Sequence, residues 1–270
     1  MSAALSCIRM ERESRMNPTD SPREVSGLLE HRLPQSSALT GRAYAVTLPD
    51  GELALDFGEH TVAWRLPDGT GGTDPYDAVE AAVDCFFVDI WCRSSDARRS
   101  LTLVLQRATG RTLLVETVAD TSRHDVPVAF EHRFALGMLR GVEAAGVEQP
   151  GPTAELLGRR LLSVYSADLV FEQIYLNSSS VAWQCIRGWE PGANDTDEAT
   201  YWRFAENLYV FGFREEAALS SSVFLLDLAN NRSTGKYLGL DEHGALANGA
   251  LGAVLLPLEA STYPRGMEPR

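Results

Sequence analysis

Thr61-Val62-Ala63-Trp64 followed by Phe86-Phe87-Val88-Asp89-Ile90-Trp91 decides how this sequence folds, because the same order returns as Ser180-Val181-Ala182-Trp183 and Leu208-Tyr209-Val210-Phe211-Gly212-Phe213. Gly41-Arg42 likewise recurs as Gly158-Arg159, and Leu103–Arg111 as Phe224–Arg232. Four matches in one order, at offsets of 117 to 122 residues, mark a tandem repeat of one unit, roughly residues 41–119 and 158–240.

Outward from these matches, each unit is a series of short strand-like runs. In the first they are Ala43–Leu48, the alternating Leu53, Leu55 and Phe57, Thr61–Arg65, Tyr76–Val83, Cys85–Trp91, Leu101–Leu105 and Thr112–Val118. Turn signals such as Pro49-Asp50-Gly51 separate them. Many short strands at close spacing mean a sandwich or barrel, and the meander order favours up-and-down antiparallel pairing. The expected class is all-β, with duplicated antiparallel β-barrel units and few short helices, one near Val25–His31, while Ala154–Leu161 reads as a short turn. The expected division is a mobile N-terminal tail (1–38), a first barrel unit (39–120), a connecting strand and linker (121–157), a second barrel unit (158–262) and a tail (263–270). Val126–Leu139 alternates and reads as the strand joining the halves, while Gly249–Leu258 reads as a closing strand. Whether the units form two barrels or share one sheet stays open.

A net charge of −13 argues against nucleic acid and against anionic lipid. No apolar run reaches 18 residues and no signal-peptide pattern opens the chain, so the expected compartment is the cytoplasm and no membrane partner is expected. None of the four cysteines (7, 85, 92 and 185) falls in a zinc spacing, no pair of the five histidines has metal spacing, and no GxGxxG opens a helix. Gly69-Thr70-Gly71-Gly72 lacks the lysine of a phosphate loop. The expectation is therefore a small-molecule substrate with no cofactor and no metal; a homodimer is compatible.

Four carboxylates stand on apolar strand faces: Asp89 between Phe87 and Trp91, Glu215 beyond Phe213, Glu172 among Val170 and Ile174, and Glu116 between Leu114 and Val118. Burial raises a carboxyl's pKa unless a cation or donor sits beside it, which suits a general acid or base. The competing account is a solvated second face, or an arginine partner. Asp89 maps onto Phe211, Glu172 onto Leu53 and Glu215 onto Arg93, so each acid occurs in one half only, as divergence for function would produce. Arg65, mid-strand after Trp64, has the geometry to clamp a substrate carboxylate.

The stretch Val164-Tyr165-Ser166, Phe171-Glu172-Gln173-Ile174-Tyr175-Leu176-Asn177, Trp183-Gln184-Cys185, Leu208–Phe211 and Arg214-Glu215 resembles the molybdenum cofactor biosynthesis protein F family, with the first unit matching more weakly. The resemblance implies a calycin-like (lipocalin-like) barrel with a ligand cavity. A fainter similarity runs to phenolic acid decarboxylases, in which Tyr165 and Glu215 fall near two functional roles; the arginine role falls on Gln184 in the second unit and Arg65 in the first. The chain is also similar in size and pattern to microbial Pictet-Spenglerases.

Together these observations favour a cofactor-independent enzyme that performs a cyclisation, lyase or isomerase step, including Pictet-Spengler-type ring closure, on an aromatic or carboxylate-bearing metabolite. Asp89 and Glu215 are the candidate acid and base and Arg65 the carboxylate clamp. Phe87, Trp91, Tyr165, Glu172, Tyr175 and Phe213 are the candidate binding residues. The alternatives are a non-catalytic binding protein in molybdenum cofactor biosynthesis, or a structural dimer. Every site residue depends on which strand face points inward, since a shift of one residue reverses it.

Overall fold

A computed structural model of the chain describes residues 27–122, 126, 128–142, 146–188, 190–216, 218–241, 243–267 and 269. Cys7, Val25 and His124 lie outside them. The repeat folds as two closed antiparallel barrels of eight strands each, not as one continuous sheet. The first contains β1 (Arg42–Leu48), β2 (Gly51–Phe57), β3 (Thr61–Arg65), β4 (Gly71–Ala82), β5 (Cys85–Trp91), β6 (Arg99–Gln106), β7 (Arg111–Asp120) and β8 (Ala129–Leu139). It closes through Val46↔Leu139 and Thr47↔Met138, between β1 and β8. The strand expected to join the halves is thus the eighth stave of the first barrel, and residues 121–157 do not form one connection.

After β9 (Gly151–Pro152), the second barrel contains β10 (Arg160–Ser166), β11 (Leu169–Asn177), β12 (Ser180–Arg187), β13 (Asn194–Ala205), β14 (Leu208–Glu215), β15 (Ser220–Asp227), β16 (Arg232–Leu240) and β17 (Leu246–Pro257). It closes where β17 meets β10, and β9 pairs with the outer half of β13. Residues 155–158 make a turn within the stretch read as one from the sequence. Among the described residues no helix is long and apolar enough to cross a membrane.

Burial explains the two sequence textures. β2 and β3 alternate exposed and buried residues, because one face packs the core and the other meets water. β5, β6, β14 and β15 are buried on both faces. Their second face lies in a seam between the barrels, where Phe87, Val104, Leu113 and Val115 meet Phe204, Leu208, Val210, Val223 and Leu225. Residues expected to be a mobile tail are also held: Leu28 O accepts from Gly252 N at 3.1 Å, Arg32 pairs with Asp77, and Ser36 N reaches Ala78 O at 2.8 Å. Leu28 and Leu33 account for this, adding apolar burial to the second barrel and to the seam.

The strand pairing also corrects the phase of the repeat. Val62↔Asp74 and Tyr76↔Ile90 in the first barrel correspond to Val181↔Asp197 and Ala199↔Phe213 in the second. Phe86, Val88 and Ile90 therefore match Tyr209, Phe211 and Phe213, one residue out of step with the letter-by-letter alignment. Asp89 corresponds to Gly212 and Glu215 to Cys92, while Glu172, opposite Gln184, corresponds to Ala54, opposite Arg65.

Candidate functional site

The two interiors differ in chemistry. The first is filled by fully buried aliphatic side chains such as Leu53, Leu55, Leu101, Leu103 and Leu105, with Phe57 and Phe86. The second is aromatic. Its floor is a stack in which Phe211 lies parallel to Tyr201, Phe213 and Phe224 at centroid distances of 5.6, 5.2 and 5.9 Å. Tyr175 meets Tyr201 and Phe211 edge-on at 5.7 and 5.3 Å. Above it Tyr165, Phe171 and Trp183 form an edge-to-face chain with spacings of 6.2 and 6.0 Å. Phe171, Trp183, Tyr237 and Glu215 are only partly buried, so this end of the barrel is its mouth.

Asp197 anchors the mouth. It shares the inward face of β13 with Ala199 and Tyr201 and is 5% exposed. Trp183 Nε1 donates to its Oδ2 at 2.7 Å and Glu216 N to its Oδ1 at 3.4 Å. Burial raises its pKa; the Trp183 and Glu216 bonds oppose this, and the charges of Asp195 and Glu216 reinforce it. Glu215 is on the inward face of β14 beyond Phe213, and its charge adds to burial in raising the Tyr165 pKa. Two interior hydroxyls, Tyr175 Oη and Ser233 Oγ, are buried without a hydrogen-bond partner among the described residues. Among those residues no three of His, Cys, Asp and Glu gather as metal ligands. The arrangement offers a planar ligand rings to pack on, and carboxyl groups to exchange a proton or balance a cation.

Comparison with known proteins adds the lineage. Residues 25–120 match the MoaF N-terminal domain and residues 150–260 the MoaF C-terminal domain. The Protein MoaF of Klebsiella aerogenes is 31% identical over 217 residues, covering 76% of this chain and 80% of its own. The chain belongs to the MoaF family. A solved structure from Burkholderia vietnamiensis, described under a beta-lactamase name, overlaps 40% of the chain and all of its own length at 17% identity and a TM-score of 0.35.

In this MoaF-family chain the second barrel gathers Tyr165, Tyr175, Phe213 and Glu215 in one interior. It does not bring Asp89 or Arg65 to them. Asp89 points outward from the first barrel into the seam, where Ser100 Oγ donates at 3.0 Å, Thr102 Oγ1 at 3.4 Å and Asn248 Nδ2 at 2.6 Å. Burial raises its pKa, against the opposing charge of Lys236 and the bonds from Asn248 and Ser100. Phe87 packs in the same seam, and Trp91 at its end, with Nε1 donating to Ala97 O at 2.7 Å. Arg65 is on the exposed outer face of β3, beside an open groove of about 820 Å³ floored by alanines 43, 45, 54 and 63. Glu172 is on the outer face of the second barrel between Arg160 and Gln184; burial works against its charge, but the bonds from Gln184 and Arg160 outweigh it and hold its pKa low. Glu116 pairs with Arg99 at 3.0 Å.

The residues that sequence reasoning missed as site residues are Asp197, Asp195, Glu216 and Trp183. A signal was present: in both units an acid follows the repeated tryptophan on the next strand, Asp74 after Trp64 and Asp197 after Trp183.

Proposed function

We propose that this MoaF-family protein binds a small aromatic metabolite at the mouth of its second barrel and acts on it by acid–base chemistry without a metal. The observation that carries this reading is the contrast between the barrels: the first interior is mainly aliphatic and its carboxyl, Asp74, is satisfied by Trp64 and Ser94, whereas the second keeps a stack of rings, two hydroxyls unpartnered among the described residues, and carboxyl groups with fewer donors. Ligand sites combine apolar walls with a few polar groups in this way. The acids at the mouth, with Arg65 on the other barrel, favour a neutral or cationic ligand over the carboxylate-bearing one that an arginine clamp would take. Titration calorimetry with 1-naphthalenemethanol tests it. Saturable binding is expected, weakened at least tenfold by Phe171→Ala and by Phe213→Ala and unchanged by Arg65→Ala. Binding that Arg65→Ala abolishes and Phe171→Ala leaves intact would move the site to the outer groove and overturn the proposal.

The enzyme form of this reading rests on two carboxyl groups in unlike surroundings, Asp197 between Trp183 and the Glu216 amide and Glu215 beside Tyr165. Unlike surroundings separate acid from base, as a cyclisation (Pictet-Spengler closure included), isomerisation or lyase step requires. Glu215→Gln should abolish turnover and preserve binding. A non-catalytic accessory protein would bind the same ligands with no turnover to lose.

A further inference from the structure

The Trp–Asp pair is built twice, and the two copies are finished differently. In the first barrel Asp74 accepts from Trp64 Nε1 at 2.9 Å, from Ser94 N at 2.7 Å and from Ser94 Oγ at 2.6 Å. Gly72, opposite Trp64, makes room for that hydroxyl: a Cβ there would stand 2.1 Å from Ser94 Oγ. In the second barrel the residue opposite Trp183 is Asp195, and the amide that reaches the aspartate belongs to Glu216. The Ser94 hydroxyl has no counterpart among the described residues, Asp195 stands where the first barrel has Gly72, and Glu216 lies beside the carboxyl, with Glu215 preceding it on the inward face of β14. Among the described residues both donors to Asp197 are neutral.

Removing a donor and adding negative neighbours destabilise the ionised carboxyl, and 5% exposure leaves little water to compensate. The titratable groups whose charges act on Asp197 are Asp195 on its own strand and Glu216 after β14; in the same interior Glu215 acts on Tyr165. The Tyr175 and Ser233 hydroxyls in the same interior, without a partner among the described residues, show that its polar capacity exceeds what those residues satisfy. Building on the proposed function, we infer that Asp197 carries the exchangeable proton of this site and that its ligand is an aromatic compound with a basic nitrogen. On binding, the Asp197 O–H bond breaks and an N–H bond forms on the ligand, with no other change in bonding. The resulting cation pairs with the new carboxylate, against the rings of Trp183 and Phe171 and the negative field of Asp195 and Glu216.

Isoquinoline, a weak base that is neutral at pH 7, and naphthalene, of the same shape without the nitrogen, test this by titration and ultraviolet absorption. Isoquinoline is expected to bind at least tenfold more tightly, and its bound spectrum to be that of the protonated base. Asp197→Asn should remove both the preference and the protonated spectrum, leaving naphthalene binding within about threefold. Asp195→Gly with Glu216→Ser, which removes both negative neighbours and with them the field that favours the cation, should also lose the protonated spectrum at pH 7. This double variant keeps the Trp183–Asp197 contact, so it guards against a folding defect in the single one. Equal binding of the two probes, or isoquinoline bound in its neutral form, overturns the inference while the proposed function stands. No binding of either probe overturns both.

Discussion

Tyr175 and Tyr201 pack edge to face on one floor, yet their hydroxyls have opposite fates. Tyr201 Oη donates to Ser180 O at 2.7 Å, whereas Tyr175 Oη is buried with no hydrogen-bond partner among the described residues. Burial raises the pKa of both, so neither carries charge near neutrality. A buried polar group without a partner costs stability, while a satisfied one contributes about 1 kcal/mol net. Tyr201→Phe should therefore lower stability by about 1 kcal/mol, and Tyr175→Phe should leave it unchanged or raise it by a similar amount. Urea unfolding of the ligand-free protein measures both. If instead Tyr175→Phe destabilises as much as Tyr201→Phe, the Tyr175 hydroxyl has a partner in solution, and the excess polar capacity argued for this interior shrinks.

At the scale of strands, His132 shows how β8 is fitted against the second barrel. Its Nε2 meets Ser221 Oγ on β15, and its ring lies so close to Gly212 on β14 that a Cβ there would stand 2.8 Å from Nδ1. Burial, then the charges of Lys236 and Arg214, push its pKa down to about 3 from 6.5. The unfolded chain therefore takes up a proton that the folded one refuses, and stability should fall as pH drops from about 6.5 to about 3. His132→Gln should flatten that part of the stability–pH curve; an unchanged slope would locate the acid sensitivity elsewhere. Gly212→Ala should destabilise by crowding the same ring. The seam that holds His132 also explains what the sequence made legible. Repetition, strand count and turns are local patterns, and they led to a duplicated β-barrel. Inward parity is not local on β5 and β14, where both faces are buried and alternation vanishes. That is why Asp89 and Phe87 read as cavity residues and lie in the seam, and why Glu215 was aligned with Arg93 when it corresponds to Cys92. Parity was recoverable only where one face met water. Asp197 was missed for another reason: its role depends on which side chain completes its hydrogen bonds, and that partner comes from a different strand.

At the scale of the molecule, the two barrels are joined by a buried polar chain within an apolar seam. Lys236 on β16, fully buried, donates to Ser100 Oγ at 2.7 Å and Thr117 Oγ1 at 3.2 Å, and Ser100 Oγ in turn donates to Asp89 Oδ1. Asn248 on β17 holds the other Asp89 oxygen. Removing one member of a buried charged pair strands the other, at a cost of about 3–5 kcal/mol, whereas replacing both is often nearly neutral. Lys236→Met and Asp89→Asn should each destabilise strongly, and the double variant should recover most of the loss, because the two sites share one network. Burial also drives the Lys236 pKa down to about 8, opposed by the Asp89 charge. From pH 8 to 10.5 the unfolded chain binds a proton that the folded one has released, so stability should rise with pH across this window. Lys236→Met should abolish that rise. Urea titrations of the four proteins at pH 7 and pH 10 give both the coupling and the slope. If the single losses simply add in the double variant, the barrels are held by their apolar contacts alone, and the Ser100 relay does not couple Lys236 to Asp89.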